Sequence, residues 1–370
     1  MTPEKILIRA PNWIGDQILA YPFYYYLRKG YPRAKITVAC SSWVQDVMFR
    51  DLVDEVYVLP KVYRGTLSEK FQNLEKAAGQ LKKGWDLAIT LPNSLSAAWL
   101  LKRTGASRRR GYSMDARGWL LNEKVHWDKK HVDHRSQAYV NLLPIEIQPR
   151  VSVQSFWPQP SKNDLDLGVE GEVSSFFPEH SWPDFEVAEP LAEPYWILAP
   201  GSMAESRRWP AEYFASFAAR VSSETGWPGI IVGGPKEVSL AQTLIGTQGT
   251  DLRDYTGRVP VPGLWKLFRN AKFSLCNDSG LAHVAAICGS FTHIVWGGGD
   301  PKRTVPLGPG RVQMTVNPVD CWPCEHNQCF QPAGQNLKCL RSIQPERVWD
   351  EIQVGLQLKK ELSHEQLNPS

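Results

Sequence analysis

The sequence lacks a strong excess of charge of either sign. Its 370 residues include 42 Lys and Arg against 38 Asp and Glu, which gives a net charge of +4. A protein whose main ligand is nucleic acid usually carries a larger basic excess, so we expect no nucleic-acid partner. Charged residues make up 22% of the chain and hydrophobic residues 42%. This balance is typical of globular proteins and excludes wholesale disorder.

The sequence also lacks a long hydrophobic run. No apolar stretch approaches the roughly 18 residues that indicate a membrane span. The first residues lead directly into Ile6-Leu7-Ile8, a run that is too short and too strand-like for a signal peptide. We therefore expect a cytoplasmic protein that can touch a membrane without crossing it.

A disulfide framework is not indicated either, because the seven cysteines are an odd number and no signal peptide precedes them. Cys40, Cys276 and Cys288 stand among apolar residues and are predicted to be core thiols. The other four form what we call the four-cysteine segment, residues 321–339, with the pattern Cys321-x2-Cys324-x4-Cys329-x9-Cys339. This spacing is compatible with a tetrahedral structural zinc ion but is not a standard finger. Reversible disulfides and free thiols are the alternatives.

Short apolar runs alternate with helical stretches along the chain. Strands are predicted at 5–9, 35–40, 55–59 and 87–91, with helices at 67–81 and at 16–28, where Pro22 bends the helix. After a proline-rich, acidic segment at 154–194, further strands are predicted at 195–198, 229–232, 273–276 and 292–296, with helices at 210–223 and 345–362. This alternation predicts an α/β protein with parallel sheets in two domains, 1–185 and 186–345, and a C-terminal helix within 346–370.

Polar side chains stand in the loops between predicted strands and helices, where open parallel sheets bind their ligands. The first such loop, 11–16, ends at Asp16, whose carboxylate could accept a proton from a substrate hydroxyl. Alternatively, Asp16 caps the following helix, an interpretation that the spacing alone favours. The loop lacks the G-x-G-x-x-G pattern, so no dinucleotide fingerprint is present.

A second loop, 201–210, contains hydroxyl groups and two guanidinium groups just before a predicted helix. It could cradle a phosphate, and an ordinary solvated loop is an equally good interpretation.

The third loop, 277–283, joins a strand to a helix. The amides of Ser279 and Gly280 could hold a diphosphate at the helix start, with His283 facing the same end. The alternative is a capping Asp278 or Ser279 and a packed His283. Together, the three loops favour a nucleotide or another phosphorylated ligand.

A basic run occupies residues 101–110, with five basic side chains and no acid. Arg117, Arg135 and three histidines (His126, His131 and His134) follow it. Such a patch suits a phosphorylated or carboxylated partner or an anionic membrane surface, and a solvated face is the alternative for any one arginine.

At these loops the sequence resembles the ADP-heptose:lipopolysaccharide heptosyltransferases of glycosyltransferase family 9, and most of all their heptosyltransferase II branch. The likeness spans nearly the whole chain, and its motifs occur in the same order. They are Ala10-Pro11-Asn12-Trp13-Ile14-Gly15-Asp16, Leu91-Pro92-Asn93-Ser94, Arg110-Gly111-Tyr112 with Arg117, Pro200-Gly201-Ser202 through Arg207-Arg208-Trp209-Pro210, Val232-Gly233-Gly234-Pro235, Asn277-Asp278-Ser279-Gly280-Leu281-Ala282-His283, and 297–306 with Asp300-Pro301.

The resemblance implies a GT-B fold, with two Rossmann-like domains whose parallel sheets face a central cleft. The first domain would bind the acceptor and the second the nucleotide sugar, and the last helix would return to the first domain. The implied reaction is the inverting, metal-independent transfer of heptose from ADP-heptose to the bacterial lipopolysaccharide inner core. The implied partners are an ADP-sugar, a lipid-anchored oligosaccharide and the inner face of the inner membrane.

The resemblance also implies residue roles. Asp16 would be the general base, and Arg207 would replace a diphosphate-binding Lys. Glu237 would substitute for an acid that some relatives place where this chain has Pro235. The expected donor-binding residues are Ser202, Arg207, Gly233, Glu237, Asp278, Ser279, Gly280 and His283. The expected acceptor-binding residues are Asn12, Trp13, Asn93, Arg110 and Arg117.

Three alternative functions remain open from the sequence. The same fold could use another nucleotide sugar or an acceptor outside lipopolysaccharide. It could also serve a nucleotide-sugar epimerase, which shares the two-domain design. Finally, the four-cysteine segment and the basic run could belong to a zinc-dependent interaction protein. No catalytic cofactor is expected.

Overall fold

The computed structural model describes residues 2–60, 67–114, 117–126, 134–150, 181–182 and 188–367. The chain divides into two compact units. The first unit comprises Met1–Phe156 and Gly171–Asp184, and the second comprises Trp157–Glu170 and Phe185–Ser370. The division at Asp184 lies one residue from the predicted domain limit at 185. The predicted linker, 154–194, lies mostly outside the described residues.

The first unit is built on a parallel sheet in the order β3-β2-β1-β4-β5-β6. Its strands are β1 Lys5–Arg9, β2 Lys35–Cys40, β3 Glu55–Val58, β4 Leu87–Thr90, β5 Arg108–Tyr112 and β6 Glu123–Val125. Its described helices are α1 Ile14–Leu19, α2 Tyr21–Gly30, α3 Leu67–Gln80, α4 Leu95–Arg103 and α5 Arg135–Val140.

The second unit repeats this design with a parallel sheet in the order β12-β11-β10-β7-β8-β9. Its strands are β7 Trp196–Ala199, β8 Gly229–Ile231, β9 Leu252–Asp254, β10 Ser274–Asn277, β11 Thr292–Trp296 and β12 Val312–Val316. Its helices are α6 Ala211–Thr225, α7 Val238–Ile245, α8 Trp265–Asn270, α9 Gly280–Ile287, α10 Pro301–Thr304, α11 Lys338–Arg341 and α12 Pro345–Leu367.

Both sheets have the strand order of the Rossmann fold, 3-2-1-4-5-6 counted within each unit. The predicted pair of Rossmann-like α/β domains, the design of the GT-B class, is therefore confirmed. In each unit the order reverses between the first and fourth strands, β1 and β4 or β7 and β10. Open sheets bind ligands beyond the carboxyl ends of the strands at this switch point. The loops after these four strands contain most of the predicted site residues, whereas Gly233 and Glu237 follow β8, Arg110 is on β5 and Arg117 follows β5.

The central strands are buried on both faces, as parallel strands covered by helices must be. In the second unit, the Trp196 ring stacks on Phe273 at 5.4 Å between centroids, and Trp349 from α12 packs against the same ring. The described part of α12 thus belongs to the core of the second unit. Its return to the first domain stays a prediction.

The predicted helix at 16–28 with a bend at Pro22 is confirmed in part: the structure is helical on both sides of Ala20 but has two helices that meet there. Proline has no N–H, so Pro22 cannot donate to the carbonyl of Ile18 and instead occupies the first turn of α2. The consequence is that α1 is a short, separate helix. Among the described helices, none is both long and apolar enough to cross a bilayer.

Candidate active site

The first unit has a pocket of about 260 Å³ at its switch point. The loops after β1 and β4 form two of its walls, and α5 forms a third. Its lining residues are Pro11, Asn12, Trp13, Asp16, Leu91, Pro92, Asn93, Ser94, Tyr112, Arg135, Ala138 and Tyr139. Three predicted acceptor residues, Asn12, Trp13 and Asn93, thus share one pocket with the predicted base.

Asp16 lies in the first turn of α1, and its side chain is 23% exposed. The residue that caps this helix is Trp13, whose side chain makes no capping hydrogen bond. The interpretation of Asp16 as the cap is therefore wrong. A partly buried carboxylate in a pocket wall has the location that a general base requires.

Sequence reasoning missed two residues of this pocket as site residues, Arg135 and Tyr139, which lie one turn apart on α5. The Nε atom of Arg135 is 4.0 Å from Oδ1 of Asp16. Arg135 also hydrogen-bonds the hydroxyl of Tyr139, whose pKa is raised well above its usual value, chiefly by burial. The four-residue spacing was the available signal, but it does not show that α5 packs beside Asp16.

Asn12 is held in place by the loop around it. Its Oδ1 accepts from Nη2 of Arg9 at 2.5 Å and from the hydroxyl of Ser41 at 3.5 Å. Its backbone carbonyl accepts from Nε1 of Trp43 at 2.5 Å. Arg9 itself is buried, which lowers its pKa to about 10. The neighbouring Trp13 is 57% exposed, so its indole face is available to stack on a sugar ring.

Arg117 does not line the pocket, in contrast to its predicted contact with the acceptor. Its side chain is fully buried and donates to the carbonyl of Pro92 at 2.8 Å and to Oδ1 of Asn93 at 2.7 Å. Because Pro92 and Asn93 form part of the pocket wall, Arg117 supports that wall from behind.

Arg110 likewise does not line this pocket, and its predicted contact with the acceptor stays a prediction. On β5, it donates to the carbonyls of Leu142 at 2.8 Å and Leu143 at 3.0 Å, and it pairs with Glu123 at 3.5 Å. These contacts fix the sheet to the segment that follows α5.

The predicted basic run is not a continuous exposed surface. Arg108 pairs with Glu123, and Arg109 donates to the carbonyls of Ala106 and Leu120. Strand β5 thus uses its arginines inside the first unit. Of the three nearby histidines, His134 caps α5 by accepting from the amide of Ser136, His126 is exposed, and His131 lies outside the described residues.

In the second unit, Asn277 joins the two loops at the switch point. It is the last residue of β10, and its amide donates to the carbonyl of Pro200 at 2.6 Å. Its Oδ1 accepts from the backbone of Trp209 at 3.0 Å. The Ser202 hydroxyl adds a bond to the carbonyl of Asp278 at 3.2 Å. We call residues 200–209 the donor loop.

The donor loop and the start of α9 bring Arg207, Asp278 and Ser279 together. Nη1 of Arg207 is 3.2 Å from Oδ2 of Asp278, which is 3% exposed. Burial raises the pKa of Asp278 to about 6, against the opposing effect of Arg207. Nε of Arg207, Oδ2 of Asp278 and Oγ of Ser279 are buried without a hydrogen-bond partner in the described part of the chain.

Unsatisfied buried polar groups are rare in folded proteins, so this cluster indicates a ligand. Ser279 precedes α9, where the free backbone amides of Ser279 and Gly280 and the helix dipole favour an anion. His283 is buried in the first turn of the same helix. The cluster is therefore suited to a phosphate group that accepts from Arg207 and from the helix start.

Glu237 lies at the turn that contains Gly233 and Gly234. Its Oε2 accepts from the amide of Gly234 at 2.8 Å. A Cβ at Gly201 would lie 2.7 Å from Cγ of Glu237, and one at Gly233 would lie 3.0 Å from its Cβ. Glu237 therefore caps this turn and packs against the donor loop.

The four cysteines of the four-cysteine segment are half-buried free thiols, whereas Cys40, Cys276 and Cys288 are buried, as predicted. The pKa of Cys339 is raised to about 11, chiefly by burial, with a contribution from the other three thiols of the segment. Within the described residues, no group of three or more His, Cys, Asp or Glu side chains is arranged to hold a metal ion. The structural zinc ion stays a prediction.

Comparisons with known proteins show what the chain is similar to. Residues 75–333 match the model of glycosyltransferase family 9 (heptosyltransferase). Lipooligosaccharide heptosyltransferase 2 of Haemophilus ducreyi is 25% identical over 321 residues, which cover 82% of this chain and 86% of that protein. Lipopolysaccharide heptosyltransferase 2 of Escherichia coli is 26% identical over 309 residues, with 82% and 85% coverage.

The solved structure of E. coli ADP-heptose lps heptosyltransferase II is also similar to this chain. It has a TM-score of 0.70 at 25% identity and covers 96% of this chain and 99% of that one.

Proposed function

Since the chain belongs to glycosyltransferase family 9, the heptosyltransferases, we propose that it transfers heptose from ADP-heptose to the inner core of lipopolysaccharide. The relatives named as heptosyltransferase 2, which match more than four-fifths of the chain, support this assignment. The observation that carries the proposal is the buried cluster of Arg207 and Ser279 at the start of α9. Nε of Arg207 and Oγ of Ser279 lack a hydrogen-bond partner among the described residues and suit the diphosphate of ADP.

In the proposed reaction, an acceptor hydroxyl attacks the anomeric carbon of the heptose on the face opposite to the ADP. The new C–O bond forms as the bond from the anomeric carbon to the diphosphate oxygen breaks, so the configuration inverts. Asp16 takes the hydroxyl proton. Asn12 and Asn93 would contribute polar groups to the acceptor pocket, and Trp13 would contribute an apolar face.

Charge that develops on the leaving diphosphate would be stabilised by Arg207 and by the amides of Ser279 and Gly280. Preorganised donors of this kind typically contribute about 3–4 kcal/mol each to lowering a barrier. These groups of the chain supply the positive potential that the leaving group needs, and the reaction as proposed uses no divalent ion. Arg207 can bind two phosphate oxygens at once, which a lysine cannot.

The proposal is tested by titrating the purified protein with ADP, UDP and GDP and by assaying transfer to a deacylated inner-core acceptor. We expect ADP to bind at least tenfold more tightly than UDP or GDP. We expect heptose to appear on the acceptor with inverted configuration by NMR, at the same rate with and without EDTA. Preferential binding of UDP or GDP would favour another nucleotide sugar. An altered free sugar nucleotide without acceptor would favour an epimerase.

We also propose that the first unit contacts the inner face of the bacterial inner membrane, where a lipid-anchored acceptor is held. Supporting this is an aromatic patch made of Phe71, Leu95, Trp99, Lys102 and Trp119. Leu95, Trp99 and Lys102 share one face of α4, and the exposed fractions of Phe71, Leu95 and Trp119 are 42%, 46% and 60%.

The rings of the aromatic patch are in contact. Trp99 lies 5.9 Å from Phe71 and 6.3 Å from Trp119 between ring centroids. Nζ of Lys102 lies 4.8 Å from the centroid of Trp119. Tryptophan and basic side chains are favoured at the interface of an anionic bilayer, which makes this patch a better candidate than the internally bonded arginines of β5.

Vesicles that contain phosphatidylglycerol test the membrane proposal. We expect binding at low salt and release at high salt, because surface charge is screened. Trp119→Ser should weaken binding several-fold, whereas Ile245→Ser, at an exposed apolar side chain of the second unit, should not. Both variants should transfer heptose normally to a deacylated acceptor. Equal vesicle binding by the two variants would contradict the patch without affecting the proposed reaction.

A further inference from the structure

The four-cysteine segment has no part in the proposed reaction, yet it contacts the donor loop directly. The amide of Ser206 donates to the carbonyl of Asn327 at 3.2 Å, and its hydroxyl donates to the carbonyl of His326. Ser206 is 2% exposed and immediately precedes Arg207. The residue before the diphosphate-binding arginine is thus held by two consecutive carbonyls that lie about 120 residues further along the chain.

A second set of bonds joins the same elements through three consecutive glycines, Gly297, Gly298 and Gly299, which we call the glycine triplet. The carbonyl of Ser206 accepts from the amide of Gly298 at 2.9 Å. The amide of Glu325 donates to the carbonyl of Gly298 at 2.8 Å, and Nε1 of Trp322 donates to the carbonyl of Gly297 at 2.9 Å. Every polar group of Ser206 is therefore bonded to the segment or to the triplet.

The glycine triplet is packed so closely that none of its three positions has room for a side chain. A Cβ at Gly297 would lie 2.3 Å from the carbonyl oxygen of Ser206 and 2.9 Å from Cα of Arg207. One at Gly298 would lie 2.8 Å from Sγ of Cys324, and one at Gly299 would lie 2.4 Å from Oδ2 of Asp278. The donor loop, the triplet and the four-cysteine segment are thus in direct contact, and a shift of one must move the others.

We propose that Ser206 is a positioning residue through which the four-cysteine segment fixes Arg207 for the donor diphosphate. This inference rests on the proposed function in one respect, the binding of diphosphate by Arg207. Arginine has a long, flexible side chain, and the conformational entropy that it loses on binding the diphosphate lowers the affinity. A fully bonded backbone at Ser206 fixes the start of that side chain before the donor arrives, whereas an ordinary solvated loop would not.

A double-mutant cycle with ADP as the probe tests the proposal. ADP dissociation constants are measured by calorimetry for the wild type, Ser206→Ala, Arg207→Ala and the double variant. Ser206→Ala removes the bond to His326 without removing a charge, and we expect ADP affinity to fall roughly threefold to tenfold. In the Arg207→Ala background, the same change should have no further effect, because Ser206 acts through Arg207.

Ser290→Ala is the matched control. Ser290 is 1% exposed in the same unit, and its hydroxyl bonds Ser274 at 2.7 Å, at the opposite end of the sheet. Both variants lose a buried hydroxyl, so thermal unfolding reports the structural cost of each. Only Ser206→Ala should change ADP affinity. An equal effect of the two variants on ADP binding would assign Ser206 a merely structural role and overturn the proposal.

Trp322→Phe supplies an independent variant, since it keeps an aromatic ring, although a smaller one, and removes the bond to Gly297. We expect it to weaken ADP binding in the same direction as Ser206→Ala. Wild-type ADP affinity in both variants would overturn the proposal, as would an equal effect of Ser206→Ala with and without Arg207. If Arg207→Ala itself leaves ADP affinity unchanged, the proposed donor site fails, which is a different result from a failure of Ser206 alone.

Discussion

Arg207, which is partly exposed, forms an ion pair with the buried Asp278, in which Nη1 lies 3.2 Å from Oδ2. In the described part of the chain, neither Nε of Arg207 nor Oδ2 of Asp278 has a hydrogen-bond partner. The two charges are therefore close together, but these two atoms make no hydrogen bond. A phosphate can therefore accept from Arg207 without first breaking a well-formed hydrogen bond.

The protonation of Asp278 should make stability depend on pH. Burial raises its pKa from 3.8 to about 6, so the folded protein binds this proton more tightly than the unfolded chain does. The contribution of this proton to the free energy of unfolding is about 2–3 kcal/mol in total. It is present below about pH 4 and is lost as the pH rises through 6. We expect urea denaturation to show that Asp278→Asn gains stability relative to the wild type between pH 4.5 and pH 7.5. A pH-independent difference for Asp278→Asn would contradict the assignment.

Arg207→Ala should weaken ADP binding, and Arg207→Lys should restore part of the loss. A charge-assisted hydrogen bond contributes roughly 1.5–3 kcal/mol, which corresponds to about a 10- to 100-fold change in affinity. Lysine keeps the charge but not the fork of donors. Calorimetric titration with ADP measures the effect. Equal affinities for the two variants would contradict the expected rescue and show that a positive charge without the guanidinium geometry contributes nothing.

Asp16→Asn should nearly abolish transfer while ADP affinity stays unchanged. The substitution keeps the size of the side chain and removes its ability to take a proton, and the loss of a general base typically costs about 10²–10⁴ in rate. Turnover of the deacylated acceptor and ADP titration separate the two effects. A variant that retains near-normal turnover would exclude Asp16 as the base.

Arg135→Gln should raise the acceptor KM by roughly threefold to tenfold, since a half-exposed cation contributes less than a buried one. The residue lines the pocket, and its Nε is 4.0 Å from Asp16. Arg33→Gln, an exposed arginine elsewhere in the first unit, is the control. We expect ADP affinity to be unchanged in both. An acceptor KM equal to that of the control would remove Arg135 from the acceptor site.

Arg117→Met should destabilise the protein by about 2–3 kcal/mol, because it leaves the carbonyls of Pro92 and Asn93 buried without their donor. Thermal and urea denaturation measure the loss, and ADP titration should be unaffected. If stability were unchanged while the acceptor KM rose, Arg117 would contact the acceptor directly, as the sequence alone predicts.

Much of the fold is readable from the sequence, because the central strands are short apolar runs between polar loops. The strands at 5–9 and 35–40 are predicted to the residue for this reason. The pattern fails where local signals compete. Three arginines at 108–110 interrupt the apolar pattern, so the sequence does not predict β5. In the structure these arginines bind Glu123 and carbonyls that are distant in the chain.

The loops of the candidate site are also readable, since they follow strands at the switch points. The residues that contact these loops cannot be predicted in the same way. Arg135 lies beside Asp16, and His326 beside Ser206, across separations of more than 100 residues. Such contacts depend on how helices and loops pack, which no local spacing reveals. This is why Arg135, Tyr139 and Ser206 escape sequence analysis and why Arg117 is assigned to the wrong side of a wall.

The first unit includes residues that come long after its last strand in the chain. The hydroxyl of Ser181 donates to Asp51 at 2.5 Å, its carbonyl accepts from the amide of Arg50, and the neighbouring Trp182 is 4% exposed. During synthesis the chain emerges from its N-terminus, and domains begin to fold as they appear. The ribosome must therefore release residues up to about 182 before this unit can close. An expression fragment that stops at the end of the last strand of the first sheet would therefore lack the piece that closes this unit.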